Sequence, residues 1–434
     1  MCWRLSTYRI LLNQNSQKKV DILKKGKKPN PKGRPFYMST STLYHAFQID
    51  GVKYKSTSYE ESALIFNAEM SEKYLYCPRC KSRDISFKGQ KKRKFHLPPI
   101  GGKKCFLTLK MHRFHCANCY QISWPHLPFM KGKSRMSRSF IRLALDLLSL
   151  GTIKSVASFL KVGWDCIKDL HKEKLETLYS HIALKDLLYV SVDEFAIAKG
   201  HVYMTVFTDV KSGRIIHAVE GKDIAAVTPF LRKLYKKAIN LKAIAMDMSH
   251  AFYSAVKQEL PHVDVVFDRF HVMKMINTAL DEIRKEQQKT SGNILKGERF
   301  LFLKNYDSLD TNGMERLRTL LATNETLFIA YTMKEQLRFF WEQNSKEEGE
   351  FYLKKWCEDA LIHGPQPLRK VAKALLRRLD GLLSYFKHRI SNGKAEGINN
   401  KIKTLKRQAY GFRDLKYFKL RLYHLHEQRY SLTG

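Results

Sequence analysis

The chain has 434 residues, 44% of them hydrophobic, which suits about two to four domains with buried cores and excludes wholesale disorder. Seventy-eight Lys and Arg against 41 Asp and Glu leave a net charge of +37, an excess that repels itself unless it meets a polyanion such as nucleic acid. No apolar run approaches the roughly 20 residues of a spanning helix, and the first residues lack the pattern of a signal peptide, so no membrane role and a cytoplasmic location are expected.

Residues 1–43 carry KKVDILKKGKKPNPKGRPF, rich in Lys, Pro and Gly, and are expected to be a basic disordered arm. The abrupt change at MSTSTLYHAF raises the alternative that Met38 is the true start. Residues 44–130 form a β-rich segment holding two C-x-x-C pairs, and 131–182 read as short helices with turns. From 183 to 272, LLYVSVDEF, HVYMTVFTDV and GRIIHAVEG are strand-like. A helical AAVTPFLRKLYKKAI follows, then the strands KAIAMDM and HVDVVFD about the helical AFYSAVKQEL. The order β-β-β-α-β-α-β-α predicts a mixed α/β sheet. Residues 273–385 are helical in pattern, and 386–434 open with turn residues and continue as a basic helix.

Eight cysteines are present, and four of them stand as Cys77-Pro-Arg-Cys80 and Cys116-Ala-Asn-Cys119. Two such knuckles supply four thiolates from tight turns, the closed tetrahedral set of structural Zn2+. The long stretch between them reads as the strands DISFKG, RKFHLPP and CFLTLKMHRFHC, a zinc ribbon with an enlarged insert. Arg79, Lys81 and Lys91 to Lys94 are placed to meet phosphates, and His96, His112 and His115 are left as packing or surface residues.

Ser137 or Ser139 can cap the first of three helices in the next segment. TIKSVASFL, a turn at Gly163 and WDCIKDLHKEKL then give a helix-turn-helix, whose last helix would read DNA with Lys168 and Lys172 among its contacts. Trp164 is expected to anchor the core rather than to read a base.

Three acidic residues stand where two-metal chemistry needs them. Asp193 and Asp247 follow the apolar runs YVSV and KAIAM, at the rim of a sheet where sites collect, and Glu396 opens a basic helix. Oxygen ligands of this kind select Mg2+ or Mn2+, and two such ions about 4 Å apart can activate an attacking water or 3′-hydroxyl and stabilise the leaving oxygen. An acidic residue at a strand end often only solvates a loop. Glu396, however, shares a face with Asn399, Asn400, Lys403, Lys406 and Arg407, a face built to hold phosphate. Asp268 either caps the helix that follows it or, with His271 one turn on, orients the site. Glu194, Asp209, Asp223 and Asp264 are weaker candidates, and Gly397 is expected to mark a bend in its helix or a close approach of DNA.

CPRC…CANC, the helix-turn-helix, SVDEFA, AMDMS, FDRFHV and NGKAEGINNKIKTLKRQAYGF together resemble the ISL3 family of bacterial insertion-sequence transposases, in the family's order, over residues 44 to 425. The resemblance implies an RNase H-like catalytic domain split by a mostly α-helical insertion before its final glutamate. It also implies Asp193, Asp247 and Glu396 as the DDE triad, and Asp268 and His271 as the D-x-x-H motif that accompanies such insertions. The expected partners are double-stranded DNA, as element terminal inverted repeats and as target, and further copies of the chain in a dimer or larger assembly. A regulator that binds without cutting, an inactive copy and a nuclease that cuts without joining are the competing readings. Trp341 and Trp356 either stack on a base near the cut or anchor the helical core.

Overall fold

The computed structural model describes residues 42–132, 134–198, 202–290, 292–390, 393–409 and 411–427, with the side chains of all but 198, 290, 292–293 and 393–396. The basic arm expected over 1–43, with Met38, lies outside the described residues apart from Thr42 and Leu43. The chain forms two compact units, Met1–Leu143 and Ala144–Gly434.

In the first unit, α1 (Thr42–Phe47) precedes β1 (Val52–Glu60), β2 (Ala63–Met70), β3 (Ile85–Ile100), β4 (Lys103–Cys116) and β5 (Ile122–Ser123). They form one sheet in the order β1-β2-β4-β3, with β5 also on β4. The two runs DISFKG and RKFHLPP are one continuous strand of 16 residues, paired antiparallel with β4 and bulged at Phe87/Gly89 and Leu97/Ile100. Pro98 and Pro99 are tolerated because β3 is the edge of the sheet and need not donate on its outer side. Gly101 and Gly102, both at positive φ, make the tight turn between the strands. Alternate residues of β4, Cys105, Leu107, Leu109 and Met111, are buried against Phe47, Phe66 and Phe95. Then α2 (Arg138–Leu147) begins, capped by Ser137, whose Oγ accepts from Phe140 N at 3.1 Å.

The second unit opens with α3 (Ile153–Leu160), capped by Thr152, and α4 (Trp164–Leu178). The sheet follows: β6 (Tyr189–Ala198), β7 (Val202–Asp209), β8 (Ile215–Glu220), α5 (Ile224–Lys237), β9 (Ala243–Met246), α6 (His250–Glu259) and β10 (Asp264–Phe267). Its order is β10-β9-β6-β7-β8, antiparallel through β6, β7 and β8, and parallel through β6, β9 and β10. This is the mixed sheet the sequence pattern predicts.

Helices then dominate: α7 (Arg269–Thr290), α8 (Arg299–Leu303), α9 (Thr311–Ala322), α10 (Glu325–Arg338), α11 (Lys346–Ile362), α12 (Gln366–Leu376) and α13 (Leu379–His388). They share one apolar core with the sheet face that carries Val190, Val192 and Phe207. Trp341 and Trp356 are both buried in it, and the Trp356 indole donates to Met333 O at 2.9 Å. α13 lies so close to β10 that a Cβ on Gly381 would stand 2.3 Å from the Phe267 ring. The opposite face of the sheet, with Met204, Val206 and Ala218, is covered by α14 (Gly393–Gln408) and α15 (Leu415–Tyr423) through Ile398, Ile402, Leu405 and Phe418. α14 runs through Gly397 without a break.

α4 is fastened to α15. His171 Nδ1 meets the Tyr417 hydroxyl at 2.8 Å, and Lys172 pairs with Asp414 at 2.7 Å. Trp164 is not the core anchor expected of it. It is 55% exposed, because the buried stripe of α4 is Ile167, His171 and Leu175, and the Lys168 ammonium lies 5.6 Å from its ring.

Candidate functional site

The four cysteine sulfurs all lie within 4.8 Å of one another, with Cys77 to Cys119 and Cys80 to Cys116 at 3.5 Å. A zinc ion with bonds of about 2.3 Å spaces its sulfurs by about 3.8 Å, so the set fits. The two knuckles are built alike. Lys81 N donates to Cys77 O and Tyr120 N to Cys116 O, each at 2.9 Å, and Lys81 and Tyr120 both take positive φ. The Ser82 backbone N–H, against some burial and with help from the neighbouring thiols, pulls the Cys80 thiol down to about 6, towards the thiolate that binds metal. Phe114 and Ile85 pack around the sulfurs. His96 stays outside the cluster, packed on Phe106 and Phe140.

The sheet of the second unit gathers acidic residues at one level. Ser191 pairs with Ala245 across β6 and β9, and Phe267 with Met246 across β10 and β9. Continued along the strands, that register sets Asp193, Asp247 and Asp268 side by side, with neighbouring strands about 4.8 Å apart. Asp193 does not end its strand. β6 continues to Ala198, but beyond Ser191 it pairs only with β7, so on the β9 side Asp193 stands at the rim.

The Asp193 carboxylate is held on both oxygens. Oδ1 accepts from Glu194 N at 2.8 Å, and Oδ2 from the Asn399 amide at 2.6 Å. Asp247 accepts from Ser249 N at 3.1 Å. Asp268 is buried and does two things. Its Oδ1 accepts from Phe270 N at the start of α7, and its Oδ2 meets His271 Nδ1 at 3.2 Å. Burial pushes the Asp193 carboxyl above its ordinary range, against hydrogen bonds from Glu194 N and Asn399, and the Asp247 charge adds to the push. Glu194 is raised in the same way, by burial and then by Asp247. The bond to Asp268, with the charges of Asp247 and Asp193, raises His271. Acids that press on one another in this way mark a place for positive charge.

These groups open on a cleft of about 680 Å³. Asp193, Glu194, Asp268 and His271 line it, and Lys274 and Arg338 come to it from the helical region. Asp247 acts on the cleft electrostatically and is not among its lining residues. Among the described residues, no three carboxylate or imidazole groups come as close together as the four cysteines. Glu396 falls within α14, and its side chain lies outside the described residues.

The other residues of the α14 face divide. Asn400 and Arg407 are exposed, and Lys403 is exposed on the cleft. Asn399 turns inward to Asp193, and the Lys406 ammonium turns back to the carbonyl of Ala196. Lys168 and Lys172 are occupied by Trp164 and Asp414. Sequence reasoning missed Lys274 and Arg338. Each is a basic residue in a long helical run, and nothing local distinguishes it.

Two family models match the chain. One, described as a transposase of the DDE class and ISL3 type, matches residues 190–422, and a zinc finger of the transposases of IS204, IS1001, IS1096 and IS1165 matches residues 76–119. The transposase for insertion sequence element IS1001 of Bordetella parapertussis is 28% identical over 358 residues, 81% of this chain and 88% of the relative. The transposase for element IS1557 of Mycobacterium tuberculosis is 26% identical over 256 residues, 52% of this chain and 57% of that one. A solved chain titled Drosophila P element transposase strand transfer complex superposes with a TM-score of 0.41 at 12% identity, over 70% of this chain and 94% of that one, a likeness too loose to carry an assignment.

Proposed function

The chain belongs to the ISL3 family of insertion-sequence transposases, and we propose from that premise that it binds the terminal inverted repeats of its element, cuts the DNA there and joins the ends to a target. The observation that carries this reading is the register that sets Asp193 beside Asp247, with α14, the helix of Glu396, tied to Asp193 through Asn399.

Asp193, Asp247 and Glu396 would hold two Mg2+ ions, or Mn2+, while the four cysteines hold a structural Zn2+. The donors suit hard cations: they are carboxylates, Asp193 among them pushed above its ordinary range by burial with the Asp247 charge adding to it, and beside it the Asn399 Oδ1 is buried with no hydrogen-bond partner among the described residues. When bound, the ions supply Lewis-acid activation and charge stabilisation for in-line displacement at phosphorus. The chain's own residues do the rest. Asp268 holds His271 at the cleft wall. Lys403 and Arg407, with Asn400 and the Lys168 and Lys172 side of α4, face the DNA backbone, and Lys406 steadies α14. Water attacks first and frees a 3′-hydroxyl, which then attacks the target strand.

The domain reading follows the same line. A basic arm spans 1–43, a zinc ribbon 44–130 and a helix-turn-helix 131–182. An RNase H-like core spans 183–272 and 386–434 around a helical insertion at 273–385. Support comes from the strand order, in which an antiparallel meander is extended by two parallel strands. The protein acts as a dimer or larger assembly on DNA in the cytoplasm.

The test is cleavage and joining of a labelled element-end duplex with Mg2+, comparing wild type with Glu396→Ala. Joined product that the variant does not make supports the reading. Nicks without joining favour a nuclease. Binding without cutting in both proteins favours a regulator or an inactive copy.

A further inference from the structure

Asn399 connects two parts of the cleft that the chain keeps far apart. Its Nδ2 donates to Asp193 Oδ2 at 2.6 Å while Glu194 N holds Oδ1 at 2.8 Å, so the plane of that carboxylate is set. Asn399 lies one helical turn beyond Glu396 and on the same side of α14. Ile398, Ile402 and Leu405, all buried, seat that helix on the sheet. The amide is therefore a strut between the strand of Asp193 and the helix of Glu396.

The other end of the amide has no such explanation. Asn399 Oδ1 is buried and has no hydrogen-bond partner among the described residues. Turning the amide over would set two acceptors face to face at Asp193, so the hydrogen bond fixes which atom is left over. A buried carbonyl oxygen without a donor is rare, because it gives up its hydration and receives nothing for it. Here it borders the cleft, where a donor can arrive from outside the chain.

We propose that Asn399 is a positioning residue of the carboxylate site: its amide nitrogen fixes Asp193, and its Oδ1 receives a donor brought by a hydrated divalent cation. This rests on the carboxylate reading above, and it assigns Asn399 to the cleft instead of to the DNA backbone, the contact that the face of α14 suggests.

The test uses the full chain and four proteins: wild type, Asn399→Ala, Asn399→Leu and Asp193→Ala. Mn2+ binding is followed by the electron paramagnetic resonance of the free ion, and nicking of an end duplex is followed against Mg2+ concentration. The Asn399 variants are expected to keep their zinc and their duplex binding and to melt within a few degrees of wild type. They should need about 10- to 100-fold more ion, and should approach the wild-type rate at saturation. A purely structural strut would lower the rate equally at every ion concentration and leave Mn2+ binding unchanged, and that result overturns the proposal. If Asn399→Ala does not fold, Asn399→Leu, which keeps the volume, decides, and melting of both below the assay temperature also overturns it. Normal Asn399 variants beside an inert Asp193→Ala sink this inference alone. An Asp193→Ala protein that binds Mn2+ and cuts like wild type sinks the carboxylate reading itself.

Discussion

Asp193 and Asp247 stand at the same level of adjacent parallel strands, two residues beyond the Ser191–Ala245 pair, although a hairpin, a third strand and a helix separate them in the chain. Only the pairing of the first strand with the fourth produces that meeting, and the Asp247 charge adds to the burial that pushes the Asp193 carboxyl up.

If this pair and Glu396 hold the reactive ions, Asp193→Ala, Asp247→Ala and Glu396→Ala each abolish cutting and leave affinity for the end duplex unchanged. Asp268→Asn and His271→Ala, one step further out, should lower cutting by about 10- to 100-fold. Gel analysis of product and a parallel binding titration check both statements. Loss of binding in all three triad variants would instead assign those carboxylates to the fold.

Removing zinc should collapse the first unit. The sulfurs sit in a small apolar nest with Phe114 and Ile85, and ribbons of this kind take about 10–16 kcal/mol from the metal. A chelator, or Cys80→Ser, should release bound zinc, measured by elemental analysis, and make residues 44–130 sensitive to protease. An unchanged digest after complete loss of zinc would show that the hydrophobic sheet holds itself together.

Lys403 and Lys406 are one turn apart and should behave differently. Lys403 is exposed on the cleft, so Lys403→Ala should weaken DNA binding and reduce the slope of log affinity against log salt by about 1. Lys406 donates to Ala196 O, so Lys406→Ala should cost about 1 kcal/mol of stability with a smaller change in that slope. Equal salt slopes for the two variants would contradict the distinction.

Acid should destabilise the second unit before the carboxylates protonate. Burial, with Arg421 and His424 nearby, holds His171 down at about 3, and burial, with Lys233 and Lys419, holds His217 down at about 4, both from an ordinary 6.5. The unfolded chain therefore binds more protons than the folded one between these values and 6.5. The contribution of each histidine is complete above about pH 6.5 and is lost as pH falls towards 4 and 3, at up to about 1.4 kcal/mol per pH unit for each. His217→Phe, at the position stacked on Phe230, should flatten that slope in denaturant melts between pH 6.5 and 4. A slope identical to wild type would remove His217 from the account.

The sequence by itself determined the repeating local features. Short apolar runs such as YVSV and KAIAM mark strands because a sheet covered on both faces buries successive residues. C-x-x-C twice over marks a metal knuckle because two thiolates three positions apart reach one ion only from a tight turn. These rules act within a few residues, so the strands and the knuckles could be read from the chain. Only the tertiary structure decided which neighbour each polar side chain took. Asn399, Lys406 and Lys172 carry the same local signature as their neighbours Asn400 and Lys403, but they end on Asp193, Ala196 and Asp414, more than 200 positions away. Trp164 looks like a core residue, but it is exposed because the other side of α4 meets α15. Hydrogen bonds and ion pairs form between groups that folding brings within about 3 Å, and the chain encodes that proximity through the packing of whole helices on the sheet, not through the residues beside each donor.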